Sequence, residues 1–220
     1  MPFRKELLVK GEIYHVFNKS VANQEILNNR RNIRVGLEIL DYYRFHQKIR
    51  YSKYKLLNKD LKRDYQELMR KSLPLVDIYS FTFMPNHYHF LVKQTEDDGI
   101  KKFISNFQNS FARYFNLKNK RSGALFLNPF KAKRIETDEI FTHVSRYIHL
   151  NPITSYLVKP ENLIYCYWNS YGSYVTNSKI PFVNTVELLK LFSSRNYSKF
   201  VMDQVDYQRK LHLLKSFIIE

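Results

Sequence analysis

The stretch Met84-Pro85-Asn86-His87-Tyr88-His89-Phe90-Leu91-Val92 decides how the rest of this sequence is interpreted. Pro85 and Asn86 are turn-forming residues, and the alternation that follows them is typical of a β-strand. Side chains two apart on a strand share a face and lie about 6.6 Å apart. His87 and His89 therefore point the same way, and the apolar residues between and after them indicate the packed face.

Two imidazoles held side by side on a stiff strand can bind one divalent metal ion through neutral ring nitrogens. The alternative is a pair of half-exposed histidines without a ligand, and the strand alone does not decide between the two. A third histidine, His15, lies in another alternating segment, Glu12–Asn18, which predicts a strand. A histidine in that position is more often a structural hydrogen-bonding residue than a ligand.

A second stretch, Tyr147-Ile148-His149-Leu150-Asn151-Pro152, closes a predicted helix. The helix begins at Thr137-Asp138-Glu139, where a capping hydroxyl precedes an acidic first turn, and we expect Asn151-Pro152 to end it. Its buried stripe is predicted to consist of four apolar residues: Ile140, Phe141, Val144 and Ile148.

Tyr147 and Asn151 are four residues apart, so they lie on one edge of that helix, and His143 lies one turn before the tyrosine. A tyrosine beside an apolar stripe is usually a core residue whose hydroxyl is hydrogen-bonded. Asn151 favours another interpretation, because a second polar group on the same edge needs a partner that a metal ion or a phosphate would supply.

Together the two stretches resemble the histidine–hydrophobe–histidine and single-tyrosine signature of HUH endonucleases. The closer resemblance is to the REP-associated tyrosine transposases, a branch of the single-tyrosine transposase superfamily. It covers most of residues 11–175, including the Tyr-His-Val-Phe-Asn run of the first strand and a Trp-x-Ser-Tyr segment after the helix.

The resemblance implies that His87 and His89 hold a metal ion, with Asn151 in the position of a third ligand. It also implies that Tyr147 attacks single-stranded DNA and leaves a covalent 5′-phosphotyrosine, with a hairpin-containing site such as a REP palindrome as substrate. Two nitrogens and an amide oxygen are softer than a typical Mg²⁺ cage, so Mn²⁺ should serve as well as Mg²⁺. His143 has the spacing to assist Tyr147.

The order of predicted elements is strand, helix, inserted helix (about 50–73), two strands, helix, strand, helix. This order predicts an α+β fold with an antiparallel sheet flanked by helices, ferredoxin-like and of the HUH endonuclease type. We expect the hairpin around Pro85 to lie at the centre of the sheet. Residues 1–160 are predicted to form the transposase domain, and 161–220 an aromatic loop followed by a helical C-terminal extension, with helices near 186–192 and 197–217.

The composition favours a polyanionic partner, because the formal net charge is +16 and the pI about 9.8. The candidate DNA-binding residues are basic side chains at the first helix start, in a turn and on one strand face: Arg30, Arg31, Arg34, Lys118, Lys120, Arg121, Lys131 and Lys133. No apolar run approaches the roughly 18 residues of a membrane span, and no signal peptide is apparent, so we expect a cytoplasmic monomer or homodimer without a membrane partner. The single cysteine, Cys166, is expected to be inert packing.

Two other functional classes remain open from the sequence. One is a non-catalytic module that binds single-stranded nucleic acid, in which the histidines have no metal role. The other is a hydrolytic metal-dependent phosphodiesterase that uses water as the nucleophile and forms no protein adduct. The absence of a carboxylate cluster near the histidines argues against a two-metal nuclease.

Overall fold

The computed structural model describes residues 6–192 and 194–210, and its centre is a four-stranded antiparallel sheet in the order β2-β3-β1-β4. The strands are β1 (Ile13–Lys19), β2 (Val76–Met84), β3 (His87–Gln94) and β4 (Lys131–Ile135). The helices are α1 (Arg30–Tyr43), α2 (Tyr51–Leu56), α3 (Lys59–Arg70), α4 (Gly99–Lys118), α5 (Asp138–Thr154), α6 (Gly172–Val175), α7 (Val186–Lys190) and α8 (Ser194–Met202).

The predicted α+β fold is confirmed, and the strand order is that of a ferredoxin-like sheet. The expected position of the hairpin was wrong. The chain does turn at Pro85-Asn86, but β1 pairs with β3 on one side and β4 on the other, so β2 is an edge strand. The central pair is β1 and β3, in which Phe17 lies opposite His89 and Lys19 opposite His87.

The two faces of the sheet carry separate cores because side chains alternate along each strand. The first core lies between the sheet and α1 and α4, and its largest fully buried members are aromatic: Tyr14, Phe81, Phe83, Tyr88, Phe90, Phe103, Phe107 and Phe111. Burying one such side chain stabilises the fold by about 2 to 3 kcal/mol. This core confirms that Tyr88, Phe90 and Val92 form the packed face of β3 and leaves the histidines on the other.

Gly99 allows α4 to begin in direct contact with the backbone at Leu75, just before β2. A Cβ at this position would lie 2.2 Å from the backbone oxygen of Leu75, which is closer than nonbonded atoms approach. The helix then presents one apolar stripe to the first core, as its sequence period predicts.

The insertion consists of two helices, α2 and α3, where the sequence suggested one. Leu57 has an extended backbone that ends α2, and the Asn58 side chain accepts a hydrogen bond from the Leu61 N–H to begin α3. Tyr51 and Tyr54 of α2 are buried in the first core, which fixes the insertion to α1.

Helix α5 covers the opposite face of the sheet and continues past its proline to Thr154, two residues beyond the predicted end. Pro152 removes one N–H from the helix, yet the Ser155 N–H still reaches the Asn151 carbonyl. Ile140 was wrongly assigned to the buried stripe, since 40% of it is exposed. The second core lies on this face and combines α5 with residues of the C-terminal segment, including Leu163, Tyr174 and Tyr197.

The C-terminal segment is more structured than an aromatic loop. It contains a 3-10 turn at Pro160–Tyr165 and the short helix α6 before α7. Beyond α8, residues 205–210 are also helical. The rest of the helix predicted to 217 lies outside the described residues. None of the helices in residues 6–192 and 194–210 combines the length and apolarity that crossing a bilayer requires.

Candidate active site

The histidine face, which we define as the sheet face that carries His15, His87 and His89, lies under α5. The ring centres of His87 and His89 are 5.1 Å apart, as expected for alternate residues on β3. On β1, His15 points to the same face, and its Nε2 lies 2.9 Å from Nδ1 of His89. His15 therefore has the hydrogen-bonding role that the sequence favoured for it, directly beside the pair.

The buried histidines are neutral at physiological pH. Burial, followed by the charge of the nearby Lys133, lowers the pKa of His15 to about 4. Burial, followed by the neighbouring histidines, lowers the pKa of His89 well below 6.5. A neutral imidazole keeps a lone pair on one ring nitrogen, which is the form that binds a metal ion.

Hydrogen bonds orient both rings of the pair. Nδ1 of His87 lies 2.6 Å from Oδ1 of Asn86, so that nitrogen donates its proton to the amide oxygen and the lone pair resides on Nε2. The His15–His89 contact orients the second ring in the same way. Outer partners of this kind fix the tautomer and the direction of metal-binding histidines.

Tyr147 of α5 lies against these rings. Its ring centre is 5.5 Å from that of His89 and 5.9 Å from that of His15, both in edge-to-face geometry. Burial raises the pKa of its hydroxyl, and the Asn151 side chain partly offsets this rise. The hydroxyl is therefore protonated at neutral pH.

Asn151 is buried one turn after Tyr147. Its Nδ2 donates to the Tyr147 backbone carbonyl at 2.7 Å, which leaves the amide oxygen as an acceptor for another group. Within the described part of the chain, no three His, Cys, Asp or Glu residues are grouped so that they could hold a metal ion. Two imidazoles therefore need a third donor of another type, and an amide oxygen suits Mg²⁺ or Mn²⁺.

His143 points away from the position that its sequence spacing suggested. It is exposed, its Nδ1 lies 3.0 Å from Nη2 of Arg146, and its ring packs on Phe200 of α8. These contacts lie on the surface of α5 that faces α8, so the structure gives no support to His143 as an assistant to Tyr147.

A buried polar network fixes α5 to the sheet. His149 is fully buried, with Nε2 2.8 Å from Ser170 Oγ and Nδ1 2.7 Å from the Tyr197 hydroxyl. The Tyr197 hydroxyl also contacts Ser145, whose Oγ lies 2.9 Å from Ser80 of β2. Because two residues along a helix turn about 200°, this network holds the side of α5 opposite Tyr147. Sequence analysis missed it, since its members come from four distant segments.

The predicted DNA-binding residues lie on two different surfaces. Lys131 and Lys133 pair with Phe17 and His15 across β4 and β1, which brings them to the edge of the histidine face. Lys118 and Arg121 are engaged in contacts within the protein, with Asn32 in the first case and with Asn116 and the Ala124 carbonyl in the second. Lys120 is exposed in the same turn.

Arg31 and Arg34 line a groove of about 780 Å³ between α1, α2 and α4, on the first-core side of the sheet. We call it the arginine groove, and it also contains three cations outside the predicted DNA-binding set, Arg50, Lys55 and Arg113. Arg30, at the start of the same helix, is exposed but lies outside this lining.

Comparison with known proteins relates this chain to a protein family and to solved structures. Residues 43–151 match the family described as Transposase IS200 like. The matched range includes His87, His89, Tyr147 and Asn151. A solved structure of a REP-associated tyrosine transposase bound to a REP hairpin is similar with a TM-score of 0.53 and 14% identity, over 86% of this chain and 93% of that one. No curated protein matches the sequence. The family match confirms the resemblance predicted from the sequence, and the structural match confirms the fold.

Proposed function

We propose that this chain, which belongs to the IS200-like transposase family through residues 43–151, is a metal-dependent single-strand DNA endonuclease and strand transferase. The observation that carries the proposal is the cluster on the histidine face. Tyr147 lies beside His89 and His15, and His87 completes the pair on β3. Among the described residues of this cluster, Tyr147 supplies the hydroxyl group, and its neighbours are imidazoles, an amide and the Phe17 ring.

In the proposed reaction the Tyr147 hydroxyl oxygen attacks the scissile phosphorus in line with the leaving 3′ oxygen. One phosphodiester bond breaks, a 5′-phosphotyrosine ester forms, and the proton lost by the hydroxyl balances the free 3′-hydroxyl that is released. The ester conserves the energy of the broken bond. A 3′-hydroxyl of another strand can therefore displace the tyrosine without ATP and complete strand transfer.

His87, His89 and Asn151 would hold the divalent metal ion, which supplies Lewis-acid stabilisation of the charge that develops on the phosphate. The chain itself orients the nucleophile, because the buried network around His149 fixes the opposite side of α5. Burial raises the pKa of the Tyr147 hydroxyl, so it carries a proton at neutral pH that must be lost in the course of the attack.

The proposed substrate is single-stranded DNA that contains a hairpin. The net charge of +16 supports a polyanionic ligand, and Lys131 and Lys133 lie beside the histidine face where the cleaved strand would run. The hairpin is suggested by the ligand of the similar REP-associated transposase.

An end-labelled single-stranded hairpin DNA, incubated with and without Mn²⁺ and separated on a denaturing gel, tests the proposal. A labelled band that migrates with the protein in the presence of metal supports the transposase. Cleaved DNA without a protein adduct would instead indicate a hydrolytic phosphodiesterase. Binding without either product would indicate a non-catalytic nucleic-acid-binding module.

A further inference from the structure

A second cavity adjoins the arginine groove in the inserted helices. It has a volume of about 240 Å³, below the roughly 300 Å³ at which pockets for drug-sized ligands begin. Four tyrosines line part of this cavity beside charged and polar side chains, and we call it the tyrosine pocket: Tyr42, Tyr51, Tyr54 and Tyr65. The pocket and the groove share Glu38, Tyr51 and Lys55, so they form one continuous surface.

The rings of the tyrosine pocket are held in place before any ligand arrives. The Tyr42 hydroxyl donates to the Ile49 carbonyl at 2.8 Å, and the Tyr65 hydroxyl donates to Gln47 Oε1 at 3.0 Å. Tyr51 donates to the Glu38 carboxylate. Because these side chains are already ordered and pack on one another, a planar ligand entering the pocket would contact them without the usual cost of ordering side chains.

The arginine groove carries an excess of positive charge. Its lining contains five cations and one carboxylate, and that carboxylate, Glu38, is bound to Lys55 at 2.8 Å. In the part of the chain that the structure describes, no acidic side chain forms an ion pair with Arg31, Arg34, Arg50 or Arg113. Exposed guanidinium groups that converge on one groove favour an extended anion such as a phosphate backbone.

A ligand that joins a planar ring to a phosphate fits the combined surface, and that chemistry is a nucleotide of a single strand. We propose that the arginine groove binds the phosphate backbone of single-stranded DNA and that the tyrosine pocket takes one unstacked base from the same strand. This recognition site lies across the sheet from Tyr147, so it acts separately from the cleavage site. The inference rests on the proposed function, because it assigns part of the same DNA substrate.

Cysteine footprinting can test occupation of the pocket without altering its buried tyrosines. Gln66 lines the tyrosine pocket yet is exposed, so Gln66→Cys places a thiol at its entrance. Glu67→Cys is the matched control, since Glu67 is equally exposed on α3 and lies outside the lining. The native Cys166 is buried and burial raises its pKa to about 11, so it should react slowly with maleimide.

The probe is a single-stranded oligonucleotide of about 12 nucleotides, within the range of single-strand site sizes. A second oligonucleotide of the same length carries abasic sugars throughout. With either DNA at about ten times its Kd, a protected thiol should react about tenfold more slowly. We expect the DNA with bases to protect Gln66→Cys, the abasic DNA to leave it reactive, and neither DNA to change the modification rate of Glu67→Cys.

The groove is tested by the double variant Arg34→Gln/Arg113→Gln, with Arg63→Gln on the outer side of α3 as control. Two lost phosphate contacts should reduce the slope of log Kd against log salt by about 1.4. The double variant should weaken binding of both oligonucleotides by the same factor, and the control should leave both unchanged.

Equal reactivity of Gln66→Cys with and without bound DNA, or equal protection by the abasic strand, would overturn the pocket assignment. An unchanged salt slope in the double variant would overturn the groove. In each case a covalent adduct formed by the same proteins would show that the proposed function stands without this inference. Failure of the unmodified protein to bind or attach DNA would overturn both.

Discussion

Acidification should destabilise this protein because His149 is buried in its neutral form. Its side chain is fully buried, and both ring nitrogens contact hydroxyl groups, those of Ser170 and Tyr197. Burial lowers its pKa from 6.5 to about 3. The unfolded chain binds a proton near pH 6.5 and the folded chain does not, so stability is lost as the pH falls below about 6.5.

The size of the effect follows from the shift. Each pH unit between the two pKa values is worth about 1.4 kcal/mol, so lowering the pH from about 8 to about 5 should remove about 2 kcal/mol through His149 alone. Other groups titrate in the same range. A comparison between the wild-type protein and His149→Gln, whose amide can still form hydrogen bonds, isolates this contribution.

The assay is urea unfolding of both proteins at about pH 8 and about pH 5, in buffer with a chelator. The wild-type protein should lose about 2 kcal/mol more of its unfolding free energy than His149→Gln over this range. Equal losses in the two proteins, or an NMR titration of the His149 ring with a midpoint near 6.5, would refute the reasoning.

Three further predictions concern the site and its substrate. His87→Ala or His89→Ala should abolish cleavage while circular dichroism remains unchanged, since neither change touches the packed face of β3. Wild-type cutting by either alanine variant would place the metal elsewhere. Affinity for single-stranded DNA should fall steeply with salt, because the logarithm of the association constant changes against the logarithm of salt concentration with a slope of about −0.7 per phosphate contact. An affinity that hardly changes up to physiological salt would contradict a phosphate-based interface. Tyr197→Phe removes the hydroxyl that contacts His149 and should lower the unfolding free energy by about 1 to 3 kcal/mol, as measured by urea titration. Unchanged stability would mean that this hydrogen-bond network contributes nothing.

The local pattern of the sequence was sufficient to predict the strands and the shared face of His87 and His89. Apolar and polar residues that alternate with a period of two predict which side chains share a face of a strand. The turn at Pro85 indicates where β3 begins. It could not place the hairpin within the sheet. The pairing of Phe17 with His89 joins residues far apart in sequence, and no local period encodes such a contact.

The same limit explains the errors around α5. Periodicity identified a buried stripe but could not show that Ile140 lies at its solvent edge or that His143 faces α8. The network around His149 was invisible because Ser80, Ser145 and Tyr197 each look like an ordinary polar residue in their own segment. Only the fold shows that they meet.

The central claim is that Tyr147 is the nucleophile, and Tyr147→Phe tests it most directly. Phenylalanine keeps the ring contacts with His89 and His15 but removes the one oxygen able to attack phosphorus. Wild-type and variant proteins are incubated with hairpin DNA and Mn²⁺, and the adduct is measured on a denaturing gel and located by mass spectrometry of the DNA-linked peptide. The account predicts an adduct on the wild-type peptide that contains Tyr147, and none in the variant, which should still bind DNA and lose only about 1 kcal/mol of stability. An adduct that persists in Tyr147→Phe, or one mapped to another tyrosine, would contradict it.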